Sequence, residues 1–157
     1  MKHSVAKGIG FGLTSGVITT LGLLVGLYSG THSMIVVLGG ILTIAVADGM
    51  SDALGIHISE EIIKKNSCKQ VWESTIATFF TKLLFALTFA IPVIFLPLDT
   101  AIAVSVAWGI LLIGILSYRI AKKKKTSVAK AMAEHIGIAI VVVILTYLLG
   151  LWVSTLG

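Results

Sequence analysis

The stretch MIVVLGGILTIAVADGMSDALGI, residues 34–56, decides how this chain is read. Its opening two-thirds is almost purely apolar. Asp48 and Asp52 then follow four residues apart, on one face of a helix. An apolar run of this length reads as a bilayer crossing. A carboxylate inside such a run is costly and is usually retained for a function.

The rest of the chain repeats the pattern. Of 157 residues, 57% are hydrophobic and only 12% charged, about half the charge of an ordinary soluble domain. Spans are predicted at residues 9–27, 34–56, 74–96, 100–118 and 128–153, each near the length needed to cross about 30 Å of hydrocarbon. The predicted fold is therefore all-α, a polytopic membrane protein with one transmembrane domain over residues 1–157. A polar link at 57–73 joins the second and third spans and is expected to extend a helix, since nothing before Asn66 breaks one. Trp72 within it suits an interfacial anchor, and Pro92 is expected to kink the end of the third span.

Basic residues fix the expected orientation. Lys2 and Lys7, then Lys64, Lys65 and Lys69, then Arg119 and Lys122 to Lys125 fall on one side of the membrane. The other side carries His32, Asp99 and the C-terminus. This positive-inside pattern predicts a cytoplasmic N-terminus, an external C-terminus and residence in the cell membrane. The formal charge of +5 thus reflects loops beside lipid head groups rather than a nucleic-acid surface. The first apolar stretch is long and closes on no small-residue cleavage site, so no cleavable signal is expected.

Glycines recur at helical contact spacing: Gly8, Gly12 and Gly16, then Gly22, Gly26 and Gly30. Small residues so spaced allow close helix approach, and we read them as a contact face for a homodimer, with packing inside one subunit as the alternative. Thr14, Ser15, Thr19 and Thr20 make the middle of the first span polar. Their hydroxyls either bond the preceding turn or line a pathway. The phenylalanines of the third span read as packing and lipid contact.

Charge within the spans carries the functional expectation. Asp48 and Lys82 lie at similar depth on consecutive helices and are expected to meet. Asp52 and Glu134 then remain, with His135 beside the latter. Three carboxylates against one lysine leave a formal deficit of two charges, which a divalent ion or exchangeable protons would fill. Asp48, Asp52, Ser15, Thr19, Lys82, Glu134 and His135 are the candidate ion pathway. Carboxylate and imidazole donors suit manganese or iron, and also admit magnesium. Asp48, Asp52 and Glu134 are the candidate metal ligands, with His57 and Glu61 as a second set at i, i+4 beside Glu60. A structural salt-bridge network and a cation channel are the competing readings.

Enzymatic signatures are missing from the sequence. No phosphate-binding loop ends in Gly-Lys-Ser/Thr, and Ser51 beside Asp52 is too generic to nominate a nucleophile. Cys68 is the single cysteine, so no disulfide within the chain and no cysteine metal motif are expected. His3 and His32 lie in no recognisable pattern.

Taken in order, FGLTSGVITTLGLLVG, ADGMSDALGIHISEE, ATFFTKLLFALTFAIPVIF and the late TYLLG resemble the vacuolar iron transporter family, which includes nodulin-like proteins and yeast iron and manganese carriers. The resemblance covers nearly the whole chain. It implies five spans, a dimer, and export of ferrous iron or manganese from the cytoplasm in exchange for protons, with no permanently bound cofactor. Ser15 stands where the family has an Asp, Asp52 where it has a Met, and Ile56 where it has a Glu. The link at about 59–72 replaces the larger acidic cytoplasmic domain of many relatives.

Overall fold

A computed structural model describes residues 3–63 and 65–156; Lys2 and Lys64 of the basic pattern lie outside them. The described residues form six helices and no strand: α1 (His3–Thr31), α2 (Met34–Glu61), α3 (Cys68–Thr88), α4 (Ala90–Phe95), α5 (Leu98–Lys124) and α6 (Val128–Ser154). With α3 and α4 counted as one crossing, five helices are long and apolar enough to span a membrane. Large apolar side chains cover their outer faces, which suits lipid and not water.

The helices overrun the predicted spans. α2 reaches Glu61 and α5 reaches Lys124, so each end projects beyond a hydrocarbon core. The helical extension expected to run on to Asn66 stops at Glu61, and the Asn66 side-chain amide donates back to the Glu60 carbonyl oxygen at 3.1 Å. Ser67 then opens α3 with a capping box to Gln70. The third crossing breaks at Phe89, three residues before Pro92. Pro92 has no N–H to donate, and its ring crowds the carbonyl of Thr88 one turn earlier.

α1 is the central helix, touching α2, α3, α5 and α6. Its glycines explain this, and they correct the expected dimer face. Gly8, Gly12 and Gly16 lie against Ser74, Thr78 and Lys82 of α3. Gly22, Gly26 and Gly30 lie against Val142, Thr146 and Gly150 of α6. Both series are consumed inside one subunit. At Gly12 a methyl group would sit 2.6 Å from the Thr78 carbonyl oxygen, so only a bare backbone permits this approach. Ser29 fastens the far end by donating to the Tyr147 carbonyl oxygen of α6 at 2.9 Å.

Every described lysine and arginine except Lys82 lies at one end of the bundle, called here the basic end. There Lys7 pairs with Glu60, and Ser4 Oγ donates to Glu73 at 2.8 Å. At the opposite end Tyr28 Oη donates to Asp99 at 2.6 Å.

Candidate functional site: a buried lysine between two aspartates

Asp48 is the fifteenth residue of the 28 in α2, and Lys82 the fifteenth of the 28 in the α3–α4 crossing. The two side chains therefore sit at mid-helix, about 20 Å from either helix end. Lys82 Nζ lies 2.5 Å from Asp48 Oδ2 and 2.5 Å from Asp52 Oδ2, and donates to Ser15 Oγ at 2.9 Å. The Asp52 contact is a hydrogen bond. The Asp48 contact is ionic only, since its oxygen has no hydrogen-bond partner. Three helices thus meet at one ammonium group.

Local sequence explains the convergence. The i, i+4 spacing of Asp48 and Asp52 aims both carboxylates at α3. Gly16 leaves the room across which the lysine stem passes on its way to α2. The Lys82 side chain is 1% exposed, while those of Asp48 and Asp52 keep 29% and 20%. The cation is sealed and its anions are partly open.

The same stripe of α2 carries a third acid. Positions 48, 52, 56 and 60 follow at helical spacing, and only Ile56 interrupts the carboxylates. Glu60 is buried, accepting from Lys7 and, at 2.9 Å, from Asn66 Nδ2. The sequence reading favoured Glu61 instead, but Glu61 is exposed. Extending the four-residue step from Asp48 would have selected Glu60.

The other candidates are dispersed. Asp52 is not left over, as expected from the sequence, but shares the lysine with Asp48. Glu134 is exposed on α6 and stays outside the cluster. Thr19 bonds its own preceding turn through the Ser15 carbonyl oxygen at 2.9 Å. Among the described residues no three His, Cys, Asp or Glu side chains converge as a metal set, so the five nominated ligands are not gathered around one point. The cation between Asp48 and Asp52 is the lysine.

His57 and His135 are each held at the basic half of the bundle. His57 Nδ1 meets Thr75 Oγ1 at 3.0 Å, and that hydroxyl donates to the Val71 carbonyl oxygen at 2.8 Å. His135 Nδ1 meets Ser117 Oγ at 2.8 Å, and that hydroxyl donates to the Ile113 carbonyl oxygen at 2.6 Å. A hydroxyl has one proton. With it committed to the carbonyl, the hydroxyl oxygen is left to accept, and a neutral imidazole at either place donates from Nδ1 and keeps the lone pair on Nε2.

No protein-family model matches the chain, and no curated protein matches it.

A recess of about 630 Å³ between α1, α2 and α6 comes within one helical turn of the cluster, at Thr19 and Ile44. Its walls are almost wholly apolar. α6 contributes little to the interior, with only Ala139 and Gly150 buried.

Proposed function

We propose that this chain is a cation-coupled membrane transporter whose coupling centre is Lys82 shared by Asp48 and Asp52. The observation that carries the reading is the charge count at mid-helix. Glu60 has Lys7, whereas two carboxylates share one lysine, leaving a formal −1 where an uncompensated charge is costly. A proton or another cation relieves that charge. With the ammonium withdrawn, the pair has a formal −2 and matches a divalent ion. Lysine and metal are then alternative occupants of one site, and exchange between them couples metal movement to charge or proton movement.

Iron or manganese, leaving the cytoplasm against protons, is the favoured substrate on the family resemblance, and carboxylate oxygens are suitable donors for both. The basic end faces the cytoplasm in this reading, as the one-sided lysines and arginines suggest. A homodimer belongs to the same proposal. Its contact would lie away from the glycine series, which are already occupied within the subunit.

One observation favours a purely structural reading. Lys82 is sealed, and a sealed, satisfied lysine serves as a helix-locking ion pair without moving anything. Saturable metal flux into sealed vesicles, compared between the wild type and Asp52→Asn, separates the two.

A further inference from the structure

The densest positive charge of the chain stands on one hairpin. Between Arg119 and Glu134 stand six basic residues and one acidic residue, a formal +5 that equals that of the whole chain. Over the rest of the chain six basic and six acidic residues cancel in sum. By formal count the rest of the one-sided basic pattern, Lys2, Lys7, Lys64, Lys65 and Lys69 against Glu60, Glu61 and Glu73, carries only +2. Arg119 and the lysines of the hairpin have no carboxylate at ion-pair distance among the described residues.

A trench of about 430 Å³ runs down the outer face of this hairpin, between α5 and α6. Arg119 and Tyr118 stand at its basic end. Below them the lining is apolar: Ile110, Ile115, Met132 and Ile136 flank Gly114. Gly114 lies buried at the floor, where an added methyl group would make ordinary contact with Met132 Cε at 3.6 Å and Ile136 Cδ1 at 3.9 Å, so a larger side chain is needed to fill the trench. Lys122 lies over the Tyr118 ring, 5.5 Å from its centre, and donates to the phenol oxygen at 3.3 Å. A similar recess on the hairpin's other face has Lys7 at its rim, but that lysine is committed to Glu60.

We propose that the α5–α6 trench is a binding site for one anionic glycerophospholipid. Its phosphate sits between Arg119 and the Lys122–Lys125 turn, and one acyl chain lies along Ile110, Ile115, Met132 and Ile136. The charge of the rim selects an anionic head group, and the apolar floor selects a ligand with a chain. A soluble anion satisfies the first requirement and not the second. Basic pockets between helices at a membrane surface hold anionic lipid head groups in this manner.

Native mass spectrometry of the full chain in detergent, with phosphatidylglycerol or phosphatidylcholine added, tests the site. The wild type should retain phosphatidylglycerol in preference to phosphatidylcholine. Arg119→Gln should weaken that retention by about fivefold, the effect of one basic residue at a lipid surface. Lys69→Gln removes the same charge outside the hairpin at the same end and should leave retention unchanged. Gly114→Leu fills the trench floor and should weaken retention with the charges intact. Equal retention of the two lipids, equal loss in Arg119→Gln and Lys69→Gln, or full displacement by soluble glycerol phosphate would overturn the proposal. Arg119 is exposed, so its variant reads binding even if Gly114→Leu fails to fold.

Discussion

Gly16 of α1 lies against Lys82 of α3 so closely that a methyl group on Gly16 would stand 3.1 Å from Lys82 Cγ and 3.2 Å from its Cα. This contact lets a charged side chain cross the middle of the bundle. The lysine stem runs over bare α1 backbone, and its ammonium emerges between the α2 aspartates and Ser15. Helix packing and charge placement are thus one arrangement, and changes to either should be felt in both.

The glycines of α1 should differ sharply in what they tolerate. Gly12→Ala forces a Cβ to within 2.6 Å of the Thr78 carbonyl oxygen, so α1 and α3 must separate. We expect a loss of about 1–3 kcal/mol, the usual cost of overpacking. Gly10 has nothing within 4 Å of an added Cβ. Gly10→Ala should be neutral, or stabilising by up to about 1 kcal/mol through helix propensity. Thermal unfolding in detergent ranks the two, and equal melting temperatures would contradict the packing described.

Lys82→Met should destabilise by about 3–5 kcal/mol, because it strands two carboxylates beside each other in the bundle. The triple variant Lys82→Met, Asp48→Asn, Asp52→Asn removes the charges together and should recover most of that loss. If the triple variant is no more stable than Lys82→Met alone, the ammonium is not what holds the aspartates.

His57 and His135 should share one tautomer in their neutral forms. Nδ1 is the protonated nitrogen in both, set by Thr75 and Ser117, whose own protons go to backbone carbonyls. Nitrogen-15 chemical shifts of labelled imidazoles report this directly. Thr75→Val and Ser117→Ala should each release one ring. A protonated Nε2 with a bare Nδ1 in the wild type would show the hydroxyls to be oriented the other way.

The positive-inside expectation puts Asp99 and Lys123, at opposite ends of α5, outside and inside the cell respectively. In a Cys68→Ser background, a cysteine at Asp99 should react with an impermeant reagent added outside intact cells. One at Lys123 should react only after permeabilisation. The reverse pattern would invert the orientation, and reaction of both from outside would remove α5 as a crossing.

The spans were legible because each is a long apolar run closed by charge, glycine or proline, a signal that survives without tertiary context. The Asp48–Lys82 meeting was legible from equal depth on consecutive helices. Two things were not. Glycine spacing says that a helix approaches closely there, but not which helix, and α3 and α6 of the same chain took both faces of α1. Lys82 was counted as the partner of one aspartate, because pairing by sequence assigns one cation to one anion. A lysine is a compact point charge on a flexible stem, and two carboxylates one turn apart both lie within its reach. Glu60 was passed over for Glu61 because the acid stripe was not followed through Ile56.

The central claim is that the Asp48–Lys82–Asp52 cluster moves a cation. Purified protein in sealed vesicles, with a pH-sensitive dye inside and a series of divalent ions outside, measures it most directly. Wild-type protein should take up iron or manganese saturably, with a pH change opposite in direction to the metal movement. Asp48→Asn and Asp52→Asn should abolish that uptake while eluting as folded protein. Equal flux in the wild type, both variants and empty vesicles would contradict the claim and leave the cluster as a structural ion pair.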